Sequence, residues 1–378
     1  MDQRTATTPT SFTLNGTISQ VDVAAGERLS YSLRERLGHR DVKIGCNAGD
    51  CGACSILVDG APVCACLMPT QQAAGRSVET LAGLVKADSD AQALMESFQH
   101  HQAAQCGICT PGMMVSAVAL LRKTPQPDQT QVQDALGGVL CRCTGYRKII
   151  DAVVGAHTAD ELIEAPQDLG HHTRRLDGRP KVDGTEKFGD DVAPVDALVA
   201  RVIRSPHASA SFTLGDISQW QATLPGVAAV LTAQDVPGRN AFGVIPGFID
   251  QPVFAVSHVR FRGEAVACVV GDADAVNAID MSSLPIEWSV QPALSDIDEA
   301  LEPNAPQLFD DRPGNIMCGG FVQCGDADAA LKNADFTVEA VHKTSFVEHG
   351  YIEPEAGFAE VVQGRLHVRA CTQAPAMD

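Results

Sequence analysis

The chain has 378 residues, 45% hydrophobic and 20% charged. That composition argues against disorder and allows two or three domains with cores of their own. With 47 acidic against 28 basic residues the net charge is −19, which sets the chain against nucleic acid and anionic membrane as partners. No stretch of about 18 apolar residues occurs, so no membrane span is expected, and the polar start Met1–Thr10 does not read as a secretory signal. Thirteen cysteines then predict thiolates on metal in a reducing cytoplasm rather than disulfides.

Taken in order, Phe12–Leu14 and Ile18–Val23 read as strands around the turn Asn15-Gly16. Ser30–Leu37 has helical spacing, with Gly38 as its C-cap. A loop rich in glycine and cysteine, 45–54, leads into a hairpin of Ser55–Val58, Asp59-Gly60 and Ala61–Val63. Beyond it Asp90–His101, Met113–Arg122, Gln131–Leu136 and Ile149–Val154 are expected helices. Pro111 falls in a first turn, where its missing N–H costs nothing. Residues 158–175 are polar and irregular, as a linker would be. The remainder reads as an α/β mixture, with β-like runs at Leu198–Ile203, Ala228–Leu231, Ala265–Val270 and Gly357–Val362.

Eight cysteines carry the chemistry. Cys46, Cys51, Cys54 and Cys66 stand as C-x4-C-x2-C-x11-C, and the x4 and x2 gaps match the plant-type [2Fe–2S] spacing. Gly45, Gly49 and Gly52 let the backbone wrap a cluster. Zinc, the competing metal, prefers paired short C-x2-C knuckles, and this quartet has only one. Cys64 precedes Cys66 by two residues, so an alternating strand would turn both thiols to one side, and pattern alone leaves both open as ligands. Cys106, Cys109, Cys141 and Cys143 form C-x2-C-x31-C-x-C, each pair next to an expected helix start whose dipole would favour an anionic cluster.

The residues around these thiols resemble the iron–sulfur part of the xanthine oxidase family of molybdenum hydroxylases. The resemblance runs through residues 45–54, Val58-Asp59-Gly60, 105–113 and 141–146. It continues in Asp177-Gly178, 181–184, Arg204–Ala208, 262–266, Val347-Glu348-His349, 352–355 and Thr372-Gln373-Ala374-Pro375, which look like the opening of the family's molybdenum region. The implied fold is α+β and multidomain. A β-grasp ferredoxin-like domain spans 10–87 and a helical [2Fe–2S] domain 88–158. A linker covers 159–176, and the N-terminal part of an α/β molybdenum-cofactor-binding domain covers 177–378. No flavin-domain motif lies between them, an order similar to that of one-chain aldehyde oxidoreductases.

The resemblance also implies roles. Cys66, not Cys64, completes the first cluster. Gln105 and Cys143 lie against the pterin of a molybdenum–molybdopterin cofactor, and Gln373 donates its amide N–H to an oxo ligand of the metal. It implies oxidation of a small-molecule aldehyde or N-heterocycle with water-derived oxygen, a late glutamate serving as general base. Electrons leave through the two clusters. The family's glycine-rich cofactor loop and that glutamate are expected beyond Asp378, on a further chain or a longer form of this one. A FAD subunit, a ferredoxin-like carrier or a cytochrome would accept the electrons. A non-catalytic electron carrier with a docking module, and more remotely a zinc-stabilised scaffold, are the competing functions. His349, Glu353 and Glu355 read as structural, the carboxylates capping a proline-bounded turn. His100, His101, His171 and His172 read as exposed, and Cys268, Cys318, Cys324 and Cys371 as buried small hydrophobes.

Overall fold

The computed structural model describes residues 7–158, 175–243, 245 and 247–372. Two compact units emerge, one of residues 1–193 with 345–371, the other of 194–344 with 372–378.

The first unit opens with the antiparallel hairpin β1 (Thr8–Leu14) and β2 (Thr17–Val23), longer at its outer end than the apolar alternation suggested. Asn15 and Gly16 both take positive φ, as this tight turn requires. A single turn α1 (Leu29–Tyr31) runs into a π turn, Ser32–Arg36, which replaces the expected α-helix. Ser32, Leu33 and Arg34 are all buried along it. Strands β3 (Ser55–Val58), β4 (Ala61–Cys64) and β5 (Ser77–Glu79) complete a five-stranded sheet of order β2-β1-β5-β3-β4. Phe12, Leu14, Val23, Ile56, Val58 and Val78 fill its inner face with Leu29 and Leu33.

Six helices follow: α2 (Leu81–Ala87), α3 (Ser89–His100), α4 (Thr110–Leu121), α5 (Gln129–Leu136), α6 (Arg147–Val154) and α7 (Gly178–Asp183). Helix α4 is buried on every side, packed by β3, α2, α3, α5 and α7. Met113, Met114, Val115, Ala117 and Val118 have no exposed surface. At about 1.5–3 kcal/mol for each fully buried large aliphatic side chain, this helix anchors the unit. Asp128 caps α5 in a box with Gln131, accepting its N–H at 2.9 Å while the Gln131 amide oxygen accepts that of Asp128 at 2.9 Å.

Residues 177–193, read from sequence as the start of the molybdenum region, pack with these helices. Buried Lys181 donates to the Gln105 carbonyl at 2.9 Å and pairs with Asp177 at 2.6 Å. The next stretch is tied to the first domain by charges. Lys43 Nζ lies 2.9 Å and Arg34 Nη1 2.9 Å from Asp191, all three side chains at most 3% exposed. Lys43 also donates to the Glu186 carbonyl at 2.7 Å and sits over the Phe188 ring. The hairpin of β12 (Gly357–Val362) and β13 (Arg365–Ala370) belongs to this unit too.

The second unit holds two three-stranded sheets. β6 (Val199–Arg204), β8 (Val227–Leu231) and β10 (Ala265–Gly271) form one, in the order β6-β10-β8. β7 (Ala210–Leu214), β9 (His258–Val259) and β11 (Ile286–Val290) form the other, in the order β11-β7-β9. Phe212, Val230, Val259, Val266, Ala267 and Val269 are central to its core.

Candidate metal centres

The loop from Ile44 to Cys54 carries the first three thiols, Cys46 exposed and Cys51 and Cys54 buried. Gly52 has φ +67°, and a Cβ on it would lie 2.1 Å from the Gly138 carbonyl oxygen, so no side chain fits. A Cβ on Gly112, in the first turn of α4, would come within 2.4 Å of the Gly52 oxygen. Three backbones therefore meet here with nothing between them. The contact is sealed by the Leu140 N–H, which donates to the Cys51 carbonyl at 2.8 Å. Leu140 is the residue before Cys141, so one hydrogen bond joins the two thiol loops.

Within the loops the eight thiols meet in four pairs. Cys46 and Cys51 exchange bonds, the N–H of each donating to the other's Sγ at 3.3 Å. The Cys54 thiol lies beside that of Cys66. Cys143 Sγ lies 3.6 Å from Cys106 Sγ, and the Cys109 thiol lies beside that of Cys141. Two thiolates sharing a tetrahedral metal, with bonds of about 2.3 Å, stand about 3.8 Å apart. Two such pairs per quartet are what a two-iron cluster asks of its ligands, each iron taking two thiolates and two bridging sulfides. Among the described residues no group of three or more His, Cys, Asp or Glu converges on a single ion.

The thiol acidities follow these contacts. Burial works against ionising Cys46, but N–H groups of Cys51 and Ala48 aimed at its sulfur outweigh it and bring the pKa to about 7. The bond from Cys109, helped by Thr144, lowers Cys141 to about 5. Cys109 rises in return, through that bond and its own burial, and burial pushes Cys54 and Cys51 up and Cys106 to about 11. Each loop thus contains one sulfur already solvated by donors as an anion would be. The Tyr146 hydroxyl accepts the Cys141 N–H at 2.9 Å, and Tyr146 itself stands at φ +66° to open α6.

Other predicted residues fall as follows. Gln105 is exposed beside Cys106, its carbonyl held by Lys181. Gln373, His171 and His172 lie outside the described residues. Glu353 accepts from the Cys371 thiol at 3.4 Å, Glu355 accepts from the Tyr351 hydroxyl, and His349 is exposed. His100 and His101 are half-buried rather than exposed, because their helix packs against α6 and the His101 ring meets the Ser97 carbonyl at 2.9 Å. Cys268 is buried in β10, but Cys318 and Cys324 are exposed, lying in an irregular stretch that offers no core to enter. Sequence spacing gave no sign of the Leu140 bond, the Tyr146 hydroxyl or the Lys43–Asp191 pair.

Fold and thiol pairs together define a two-cluster iron–sulfur protein. Four family models match in succession. A 2Fe-2S iron-sulfur cluster binding domain matches residues 12–82 and a [2Fe-2S] binding domain residues 80–154. The a/b hammerhead domain of aldehyde oxidase and xanthine dehydrogenase matches residues 183–292, and a molybdopterin cofactor-binding domain residues 308–378. The chain is 31% identical to the aldehyde oxidoreductase of Megalodesulfovibrio gigas over 92% of its own length and 41% of that protein's. It is 45% identical to the nicotine 6-hydroxylase small subunit of Paenarthrobacter nicotinovorans, over 38% of this chain and 86% of the subunit. The solved aldehyde oxidoreductase of Desulfovibrio gigas superposes with a TM-score of 0.84 at 28% identity, covering 96% of this chain and 43% of that one. The chain therefore belongs to the xanthine oxidase family of molybdenum hydroxylases, and it spans less than half the length of the aldehyde oxidoreductases it matches.

Proposed function

We propose that Cys46, Cys51, Cys54 and Cys66 hold one [2Fe–2S] cluster and Cys106, Cys109, Cys141 and Cys143 a second. On this reading the chain conducts electrons one at a time from a molybdenum–molybdopterin site to an external acceptor. The observation that carries it is the meeting of eight thiols as four pairs, two in each of two loops joined by the Leu140–Cys51 hydrogen bond. Gln105, Cys143 and Gln373 are assigned to the molybdenum cofactor, which when bound supplies the oxygen-transfer chemistry on the substrate carbon. The Ala48 and Cys51 N–H groups donate to Cys46 Sγ and stabilise its negative charge, while the Tyr146 hydroxyl fixes the backbone at Cys141 by accepting its N–H.

The substrate is an aldehyde or an N-heterocycle. Alignment with an aldehyde oxidoreductase over 92% of this chain, iron–sulfur and later regions together, favours the aldehyde. Similarity to the small subunits of nicotine 6-hydroxylase and nicotinate dehydrogenase supports a further chain completing the molybdenum site. A separate FAD subunit or a ferredoxin or cytochrome serves as acceptor, and the need to keep thiolates reduced supports the cytoplasm as location. The test is anaerobic addition of benzaldehyde or quinoline to the complete assembly, followed by visible absorption of the clusters. Bleaching by one of the two supports the reading. Bleaching by dithionite but by neither substrate contradicts the catalytic part of it.

A further inference from the structure

Thirteen cysteines leave one thiol at the first cluster loop that neither quartet uses. Cys64 ends β4 directly opposite Ser55, the residue after Cys54. The chain then reverses in a turn closed by the Leu67 N–H on the Cys64 carbonyl at 3.0 Å, with Cys66 at its third position. The Ala65 N–H bonds the Cys54 carbonyl at 3.3 Å, which holds this turn against the cluster loop. Cys64 is half-buried against the core group that contains Cys54 and Cys66, with the Cys54, Ser55 and Cys66 side chains near its thiol. Cys54 is also the thiol paired with Cys66. One sulfur, Cys54, therefore has two candidate companions on a single short turn.

We propose that Cys64 is a reserve ligand of the first [2Fe–2S] cluster, able to take the iron position shared with Cys54 when Cys66 is absent or detached. The inference rests on the assignment of Cys46, Cys51, Cys54 and Cys66 to that cluster. The exchange forms one iron–sulfur bond to Cys64 as the bond to Cys66 breaks. Cys64 gives its proton to water, Cys66 takes one up, and iron keeps its oxidation state. Movement is confined to a turn whose two cysteines are two residues apart, so the sheet register need not change. The second quartet has no counterpart among the described cysteines, since the remaining ones (Cys268, Cys318, Cys324 and Cys371) fall elsewhere in the chain.

The experiment compares iron and sulfide content and EPR spectra of the whole chain as wild type, C64A, C66A and C66A/C64A, all purified anaerobically. Wild type with fewer than two distinguishable cluster signals would defeat the underlying assignment instead of this inference. With wild type intact, C64A is expected to keep both clusters. C66A is expected to keep both as well, with a shifted first-cluster signal, and the double variant to lose half its iron while retaining the second cluster. Equal iron content in C66A and C66A/C64A, at whatever level, overturns the proposal. So does a C64A chain that loses the first cluster, because Cys64 would then be a primary ligand.

Discussion

Replacing Asp191 by asparagine removes the one carboxylate that Lys43 and Arg34 share. All three side chains are at most 3% exposed, so the variant leaves two buried cations facing a neutral amide. Breaking a buried ion pair from one side costs about 3–5 kcal/mol. Arg34 keeps Asp190 at 3.0 Å and Lys43 keeps the Glu186 carbonyl, which places the expected cost near the lower end, about 3 kcal/mol. That loss should appear as local opening of residues 186–191 from the first domain, with amide exchange there about a hundredfold faster. Hydrogen-exchange mass spectrometry on the iron-loaded chain reads this directly. Asp190→Asn, at a site with a half-exposed carboxylate, should change exchange by less than about tenfold. Burial alone would raise the Asp191 carboxyl, but Lys43 outweighs it and holds it below the ordinary carboxylate range. Its stabilisation is thus complete above the unfolded value of about 4 and is lost as pH falls through the lower folded value. Wild-type exchange should accelerate in the same segment in that acid window. Unchanged exchange in Asp191→Asn would refute the clamp.

Gly52→Ala should prevent assembly of the first cluster, because its Cβ would fall 2.1 Å from the Gly138 oxygen at a φ of +67°; iron content should drop by half with the second EPR signal retained. Tyr146→Phe strips the Cys141 N–H of its acceptor at a cost of about 1–3 kcal/mol, so the second cluster should be lost to a chelator roughly tenfold faster or more than in wild type, the first being unaffected. In iron-free protein at pH 7, Cys46 should alkylate with iodoacetamide ahead of the other first-loop thiols, since it is exposed and its pKa is about 7; mass spectrometry of a brief pulse identifies the site.

Much of this organisation is legible in the sequence alone. The hairpin Ser55–Val58 with Ala61–Cys64, helix α4 and the strands β6, β8, β10 and β12 stand within a few residues of where periodicity and turn residues put them. Those signals are local. Short elements such as α2, β5 and α7 escaped because their apolar pattern covers too few residues to show a period. The π turn at Ser32–Arg36 escaped because α and π segments share the same local apolar spacing. The two cysteine quartets could be read as sets, but not how each divides into pairs, since the pairing joins thiols between 5 and 37 residues apart through tertiary packing. The contact of Gly52 with Gly138 is of the same kind: a glycine can be seen in sequence, its neighbour cannot.

The central claim is that the eight thiols hold two binuclear clusters, and the most direct measurement is metal and sulfide analysis with EPR on the anaerobically purified chain. Four irons and four sulfides per chain, with two distinguishable reduced [2Fe–2S] signals and negligible zinc, are expected. Zinc in place of iron, or a single cluster signal in protein of full cysteine content, would contradict it.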